Sequence, residues 1–405
     1  MRIMFTVIGS ASHFYSITTA AWACRAAGHE VALAAPSQIT KDVISSGLPF
    51  VAVGQAPDLA TRVREAGFEL TVDQQQWPVD WPVKRHSLHD WQRRLLEVFG
   101  LNQITMAEAM ADDLVEFARD WRPALIVHDG ATLAGPVAAS VLGIPNVSYL
   151  AGSPGSPRLE LRANGTQPLP QYVELFERFG AAVRVTPTLT VDPCPPSMRF
   201  GNEEPRRHVR YIAYNGHGAV PRDLDEPRDR PRVCLTWGHT SVKGLGASVA
   251  EPYRAVVDAL HDKDVEILVV TTEAQRDMLG ALPPGSRFLG AIPLQLVLPH
   301  CDVIVHHGGT LTALSAAVLD TPQLVITVKP ETTATAGRLA TTGAAAHLPY
   351  QSLPSDATRM EVIADVMNKL LEDPKYVEAA QRLGREIESL PTPADLVPEF
   401  EALRD

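Results

Sequence analysis

Short apolar runs alternate with segments whose apolar residues recur at helical spacing through most of the chain. In the first half the predicted strands are RIMFTVI, HEVALAA, FVAVG, ALIVHD and PNVSYL, and the predicted helices include SITTAAWACRAAG and AEAMADDLVEFARDW. In the second half RVCLTW, VEILVVTT, RFLGAI, DVIVHH and QLVITV repeat the pattern. Such alternation is typical of βαβ units stacked around parallel sheets. The pattern therefore predicts an α/β protein with two doubly wound, Rossmann-like halves.

The boundary between the halves is predicted where the apolar period stops. The stretch YNGHGAVPRDLDEPRDRPR collects Gly, Pro and charged residues, which favours a linker. We expect a first domain over residues 1–213, a linker over 214–231 and a second domain that begins at residue 232. Two further irregular segments, Gln74 to Trp91 and Ala151 to Pro170, predict long loops of the first domain, where specificity often resides.

Composition narrows the class of protein. A chain of 405 residues is long enough for roughly two domains of ordinary size. No apolar run is long enough to span a bilayer, and MRIMFTVIGS reads as a buried strand instead of a signal peptide, so a cytoplasmic protein is expected. The net charge of −11 is dispersed and argues against nucleic acid as a partner. Cys24, Cys194, Cys234 and Cys301 have no spacing that suggests zinc or a redox pair.

The strongest chemical signal is the junction HHGG at the end of the predicted strand CDVIV. Glycines let the backbone turn and approach a ligand, and the segment TLTALSAAVLD predicts a helix that starts near Thr310. A helix N-terminus carries partial positive charge and free amides, which suits a phosphate. His307, Thr310 and Thr312 add hydrogen-bonding side chains, so the junction predicts an anion site. By itself, HxGG fits a tight turn with a capping threonine at least as well.

The surrounding sequence favours the anion site. GAIPLQLVLPHCDVIVHHGG, a helix, DTPQLVIT and GRLATTGAA together resemble the nucleotide-sugar site of GT-B glycosyltransferases. The likeness is closest to actinobacterial enzymes that attach TDP-deoxysugars to macrolides and other natural products. It implies two Rossmann-like domains facing a cleft, the second over 232–385, and a C-terminal helical segment over 386–405 that crosses back to the first domain.

The resemblance continues in the first half. SASHFYSITTAAWACRAAGHEVALAAP matches the family segment that holds the catalytic base, which implies that role for His13. WRPALIVHDGATLAGPVAASVLGIP matches the segment that supplies its acid partner, here Asp129. A histidine titrates near neutral pH, and a carboxylate can hold its tautomer and stabilise the imidazolium. Asp129 would serve equally well as a cap for a helix that begins near Ala131.

The resemblance also implies the donor site. The matching positions are Gly238 and Thr240; Ile292, Pro293 and Leu294; His307, Gly308, Gly309, Thr310 and Thr312; and Glu331 and Thr332. Many relatives have Asp-Gln where this chain has Glu331-Thr332, a change consistent with a donor that lacks hydroxyls or with impaired donor use. Leu311 stands where relatives commonly have a small residue. Arg338 matches a recurring arginine, although an ion-pairing role on a helix is as reasonable.

Sequence motifs for metal binding and for acceptor binding are weaker than those for the donor site. The triplets Asp223 to Asp225 and Asp262 to Asp264 look like metal motifs, but their positions favour solvated surface charge, so no metal is expected. Trp77, Trp81 and Trp91 would either line an apolar mouth for an aglycone or anchor a long loop.

The sequence thus predicts an inverting glycosyltransferase that moves a sugar, in particular a deoxysugar, from a TDP-sugar, in preference to a UDP-sugar, to a hydroxyl of a small natural-product aglycone. A nucleotide-sugar 2-epimerase and a non-catalytic homologue that binds nucleotide or protein remain alternatives. Whether the chain forms a homodimer, and whether it needs an auxiliary activator protein as some relatives do, stays open.

Overall fold

The structure is a computed structural model that describes residues 1–55, 57–59, 77–162, 165, 167–201, 205–238, 250–355 and 357–404. Thr240 lies outside these ranges, as does the side chain of Glu331. Within the described ranges, no helix has the length and apolar character needed to cross a membrane.

The first half folds around a seven-stranded parallel sheet in the order β3-β2-β1-β4-β5-β6-β7. Its strands are β1 (Arg2–Thr6), β2 (Glu30–Ala35), β3 (Phe50–Ala52), β4 (Leu125–Asp129), β5 (Asn146–Tyr149), β6 (Leu189–Asp192) and β7 (Arg207–His208). Its helices are α1 (Ala11–Ala26), α2 (Thr40–Ser45), α3 (Asp90–Trp121), α4 (Ala134–Leu142) and α5 (Pro170–Glu177). Separate apolar clusters cover its two faces, one including Phe5 and Phe14 and the other Met4 and Phe176, so the sheet is doubly wound.

Two details of this half differ from the prediction. The helix predicted over AEAMADDLVEFARDW begins much earlier, at Asp90, because apolar positions such as Leu95 and Ile104 extend its buried stripe. The strands β6 and β7 were not predicted, since each is only four or two residues long and proline or arginine residues flank them. Both strands nevertheless extend the parallel sheet.

The second half folds around a six-stranded parallel sheet in the order β10-β9-β8-β11-β12-β13. Its strands are β8 (Arg232–Leu235), β9 (Glu266–Val269), β10 (Arg287–Phe288), β11 (Val303–His306), β12 (Gln323–Thr327) and β13 (Ala345–Pro349). Its helices are α6 (Ala250–Ala259), α7 (Glu273–Leu279), α8 (Thr310–Val318), α9 (Pro330–Thr341), α10 (Thr358–Glu372) and α11 (Pro374–Glu388). The predicted strand RFLGAI is reduced to Arg287 and Phe288.

The C-terminus returns to the first sheet. After α11 the chain forms a 3₁₀ helix (Pro393–Leu396) and α12 (Val397–Ala402). Leu396 and Phe400 are buried in the same cluster as Phe5 and Phe14, against α1. The predicted crossing of the C-terminal helix is therefore confirmed, while the domain boundaries at 213, 231 and 385 stay predictions.

The strand orders locate the sites where ligands are expected. In the first sheet the order in which successive strands are added reverses between β1 and β4, and in the second between β8 and β11, while all strands stay parallel. Open parallel sheets bind ligands at the carboxyl ends of the strands beside such a reversal. His13 follows β1 and Asp129 ends β4, while Gly238 follows β8 and His307 follows β11. The topology thus places these predicted residues at the two switch points.

Candidate active site

His13 and Asp129 form a direct pair at the switch point of the first sheet. His13 lies in the first turn of α1, and its Nδ1 hydrogen-bonds Oδ2 of Asp129. Asp129 is 1% exposed, and its carboxylate also accepts hydrogen bonds from the Thr132 hydroxyl and, at 3.3 Å, from the Ala131 amide. Because a carboxylate only accepts, Nδ1 carries the proton, and the Nε2 lone pair remains to take a proton.

The pair stabilises charge on both partners. Burial would lower the pKa of His13, but the charge of Asp129 and its hydrogen bond outweigh burial and raise it. Burial likewise opposes ionisation of Asp129, yet the charge of His13 and the hydrogen bonds from His13, Thr132 and Ala131 lower its pKa. The carboxylate holds the imidazole, whereas the helix cap that the sequence left as the alternative is not formed. The next helix, α4, begins at Ala134 with Leu133 as its N-cap and no side-chain cap among the described residues, and Asp129 accepts instead from Ala131 and Thr132 in the turn before it.

His307 occupies the switch point of the second sheet in a different environment. A Cβ at Gly238 would lie 2.6 Å from its Cε1, and one at Gly309 would lie 2.6 Å from its Nε2. The ring therefore fits only because glycine stands on both sides, and Gly238 also has φ of +60°. Burial, with smaller effects from His306 and Lys329, lowers the pKa of His307 to about 3. The imidazole is neutral, and its buried Nδ1 has no partner among the described residues.

His306 has a structural role that the sequence did not predict. It is fully buried, and its Nδ1 accepts the Gly308 amide at 3.1 Å. Its Nε2 must then carry the proton and donates to Oε1 of Gln323 at 2.9 Å. Gln323 in turn donates to the Ala313 carbonyl of α8. The first histidine of the HHGG motif thus fixes the turn and the helix, and the second lies between Gly238 and Gly309.

The N-terminus of α8 carries no side-chain cap. The N-cap residue is Gly309, so the suggestion of a capping threonine is wrong for this turn. Thr310 instead directs its hydroxyl toward Thr335, at 3.4 Å, and Ser153, at 3.3 Å. Gly308 has φ of +89°, which favours glycine at this sharp turn. The first amides of α8 remain available to an anion.

Contacts from the first half hold α8 in place, and the sequence did not predict them. A Cβ on Gly152 would lie 2.5 Å from Cδ1 of Leu314, so the loop bearing Ser153 lies directly on α8. Tyr211 donates from its hydroxyl to the Leu311 carbonyl at 3.2 Å and hydrogen-bonds Ser315 at 2.9 Å. The sequence predicted a long loop here, but the positive φ of Gly152, +83°, and its approach to α8 are not visible in a sequence.

The other predicted donor residues lie around the same edge. Ile292 and Pro293 precede a 3₁₀ helix that starts at Leu294, after the end of β10. A Cβ on Gly218 of the linker would lie 2.5 Å from Cδ of Pro293, so this turn contacts the linker. Thr332 is in the first turn of α9, where its hydroxyl donates to the Lys329 carbonyl at 2.9 Å.

The three predicted acceptor residues form one aromatic cluster. Trp77 meets Trp81 and Trp91 edge to face, with ring centroids 5.5 and 5.8 Å apart. Trp81 donates from its indole nitrogen to the Pro330 carbonyl at 3.0 Å and packs in a cluster that includes Ala334. Trp77 and Trp81 are buried, so they anchor the loop against α9, and contact with an acceptor stays a prediction.

Arg338 also connects the two halves. Its guanidinium donates to the Met198 carbonyl at 3.0 Å and the Ser197 carbonyl at 2.9 Å, and it lies over the Phe200 ring. Arg338 therefore contacts the first half of the chain, and does not form, with the described residues, the ion pair on its own helix that the sequence allowed.

The acidic triplets do not converge on a metal site. Asp223 pairs with Arg287, and Asp225 faces His300. Among the described residues there is no group of three or more His, Cys, Asp or Glu side chains placed to hold a metal ion. Independence from metal stays a prediction.

Comparisons with known proteins agree over the whole chain. Sequence models of the N-terminal and C-terminal domains described as erythromycin biosynthesis protein CIII-like match residues 22–238 and 254–403. The chain is 34% identical to 10-deoxymethynolide desosaminyltransferase of Streptomyces venezuelae, over 100% of this chain and 97% of that protein. It is also 34% identical to aclacinomycin-T 2-deoxy-L-fucose transferase of Streptomyces galilaeus, over 100% of this chain and 96% of that protein.

Solved structures show the same arrangement. The spinosyn rhamnosyltransferase SpnG superimposes with a TM-score of 0.79 at 26% identity, over 99% of this chain and 100% of that one. The glycosyltransferase VinC in complex with dTDP superimposes with a TM-score of 0.78 at 30% identity, over 100% of this chain and 99% of that one.

Proposed function

The chain belongs to the erythromycin biosynthesis protein CIII-like family and is a glycosyltransferase with the GT-B fold, and we propose that it moves a deoxysugar from TDP to a hydroxyl of a polyketide-type aglycone, with inversion. The relatives named above transfer deoxysugars, and one similar structure contains dTDP. The observation that carries the proposal for this chain is the buried Asp129 carboxylate bonded to His13 at the first switch point.

The proposed reaction is a single displacement. The acceptor hydroxyl oxygen forms a bond to the anomeric carbon while the bond from that carbon to the diphosphate oxygen breaks. Nε2 of His13 takes the hydroxyl proton, and the TDP leaving group takes the electron pair of the broken bond. Asp129 keeps Nδ1 protonated and stabilises the imidazolium that forms. Attack opposite to the leaving group inverts the anomeric centre.

The leaving diphosphate would be stabilised at the second switch point. The uncapped amides of α8 and the neutral imidazole of His307 supply hydrogen-bond donors where negative charge develops. Gly238 and Gly309 leave room for the ring itself, so the imidazole lies beside the first turn of α8. Because these donors are preorganised by His306 and Gly308, the proposal needs no metal ion.

The relatives do not favour the alternative functions. Those named above are transferases, so neither an isomerase nor a non-catalytic homologue gains support from them. The transfer reaction is tested by mass spectrometry of mixtures of a TDP-deoxysugar with macrolide and anthracycline aglycones, with and without EDTA. A glycosylated aglycone formed equally in EDTA is expected. Loss of product in EDTA would contradict metal independence, and conversion of the donor without any acceptor would indicate an isomerase.

A further inference from the structure

A cavity lined by both polar and apolar residues lies in the first half, on the face of the sheet opposite to α1. It has a volume of about 220 Å³, and its lining includes Gly130, the residue directly after Asp129. The lining therefore reaches the residue next to Asp129 and includes Ser156, Arg158 and Glu160 of the loop that precedes α5.

Its floor is unusual for a parallel sheet. His128, Ser148 and Thr190 are register neighbours on β4, β5 and β6, and all three line the cavity. Asn146, two residues before Ser148 on β5, lines it as well. Central parallel strands that are covered on both sides normally carry apolar residues. A row of four polar side chains across three adjacent strands is not explained by packing of the core.

One of these polar groups lacks a partner. His128 Nδ1 lies 2.9 Å from the Asp129 carbonyl, which only accepts, so Nδ1 carries the proton and Nε2 accepts from the Asn146 amide nitrogen at 3.1 Å. This fixes the orientation of the Asn146 side chain, which is 1% exposed. Its Oδ1 is buried and has no partner among the described residues. A buried acceptor without a donor is costly, so a ligand group that donates a hydrogen bond would be favoured at this site.

The wall of the cavity carries excess positive charge. Arg158, Arg184 and Arg206 line it, and Glu160 is the acidic residue in the lining. Arg158 pairs with Glu160, and Arg206 pairs with Asp192 at 2.8 Å. Arg184 donates instead to a neutral group, the Ile144 carbonyl, at 2.6 Å. Burial lowers the pKa of His128, which keeps it neutral. The pairing leaves positive charge at Arg184 to attract an anion.

We propose that this cavity is the inner end of the acceptor site and binds a hydroxylated carboxylate portion of the aglycone. The inference rests on the proposed function, because Gly130, which lines the cavity, directly follows Asp129 of the proposed reacting centre. The volume is below the roughly 300 to 1,000 Å³ of a pocket for a whole drug-sized ligand, so only one end of an aglycone fits. The carboxylate is placed at Arg184, and a ligand hydroxyl donates to Oδ1 of Asn146.

The first test uses 4-hydroxybenzoate as the probe in ligand-observed NMR titrations. Benzoate, which lacks the hydroxyl, and methyl 4-hydroxybenzoate, which lacks the charge, are the matched compounds. We expect the hydroxy acid to bind about tenfold more tightly than the ester, the size of one charge-assisted hydrogen bond, and roughly two- to tenfold more tightly than benzoate, which lacks one neutral hydrogen bond. Arg184→Gln should remove the preference for acid over ester, and Thr190→Val should weaken binding a few-fold. Arg178→Gln, which changes a surface arginine paired with Asp112, is the control and should change nothing.

The second test asks whether the cavity belongs to the acceptor site. Rhein and aloe-emodin are hydroxylated anthraquinones. Rhein has a carboxylate where aloe-emodin has a hydroxymethyl group. Rhein should displace 4-hydroxybenzoate at lower concentration than aloe-emodin does. Equal binding of acid and ester, unchanged binding in a folded Arg184→Gln variant, or no displacement by rhein would each overturn the proposal. Calorimetric binding of TDP is measured in the same samples, and its absence would count against the proposed function without affecting the cavity result.

Discussion

The two histidine sites of this protein use the same side chain in opposite electrostatic states. His13 faces a buried carboxylate, which raises its pKa, whereas His307 lies between two glycines with no carboxylate partner among the described residues, and burial lowers its pKa to about 3. A base must accept and keep a proton, while a donor beside a diphosphate works as a neutral N–H in a fixed position. The difference shows that the partner of each ring, and not the ring itself, sets its proposed role.

Removing the base is expected to have the largest effect. His13→Ala should reduce kcat by about 10³- to 10⁴-fold, since general base catalysis contributes effects of up to this size. TDP should bind with unchanged affinity in calorimetry, because His13 does not lie in the α8 site. His261→Ala, which alters an exposed histidine, is the control. A kcat within threefold of the original would exclude His13 as the base.

Removing the partner of the base should have the next largest effect. Asp129→Asn is expected to lower kcat by about 10²- to 10³-fold, because an amide can donate to Nδ1 and hold the wrong tautomer. The acid limb of the kcat/KM profile should also move to lower pH, since the negative charge that raises the pKa of His13 is gone. Thr132→Val removes one hydrogen bond to Asp129 but keeps its charge, so the acid limb should move much less than in Asp129→Asn. An acid limb that stays in place in Asp129→Asn would contradict this assignment.

Loss of the neutral histidine should affect donor binding. His307→Ala is expected to weaken TDP about 10- to 100-fold in calorimetry, the range for one hydrogen bond to a charged group. UDP should bind more weakly than TDP to the unaltered protein, as the predicted preference requires. The variant should keep the His13-dependent acid limb of the pH profile. Unchanged TDP affinity would mean that HHGG serves only as a turn.

The two sites should also respond to pH in opposite directions. Unfolded histidines titrate near 6.5, while burial lowers the pKa to about 4 in His306 and about 3 in His307. As pH falls below about 6.5, the unfolded chain takes up protons that the folded chain does not. The equilibrium constant for unfolding therefore rises by up to about tenfold per pH unit for each such histidine.

His13 has a raised pKa, so its pairing with Asp129 stabilises the fold at low pH and loses this effect as pH rises through that pKa. Chemical denaturation between pH 7 and pH 5 should show the net loss, and His13→Ala should make the slope steeper. A stability that stays constant over this range would contradict the neutral state of the buried side chains of His306 and His307.

The smallest expected effect concerns the contact between the halves. Ser153→Ala removes the hydroxyl that lies 3.3 Å from Thr310, so the KM for the TDP-sugar should rise about two- to fivefold with little change in kcat, as for one neutral hydrogen bond. Ser389→Ala, at an exposed position on the surface, is the control. A kcat that falls as much as in Asp129→Asn would instead assign Ser153 to the reacting centre.

The sequence by itself determined the fold class and the two switch-point segments. The apolar runs that form β4 and β11, with Asp129 and HHGG at their ends and His13 shortly after β1, are local patterns. Such patterns can be recognised from the sequence alone. The sequence left two roles open for Asp129, because spacing alone does not distinguish a partner of His13 from a helix cap.

Only the tertiary structure decided which residues meet. Asp129 reaches His13 across 116 positions, and His306 differs from His307 only through contacts with Gln323, Gly308, Gly238 and Gly309. The polar row of His128, Ser148 and Thr190 exists because register aligns three strands that are distant in the chain. The physical reason is the same in each case: pKa, tautomer and hydrogen bonding depend on neighbours in space, and the packing of parallel strands selects those neighbours.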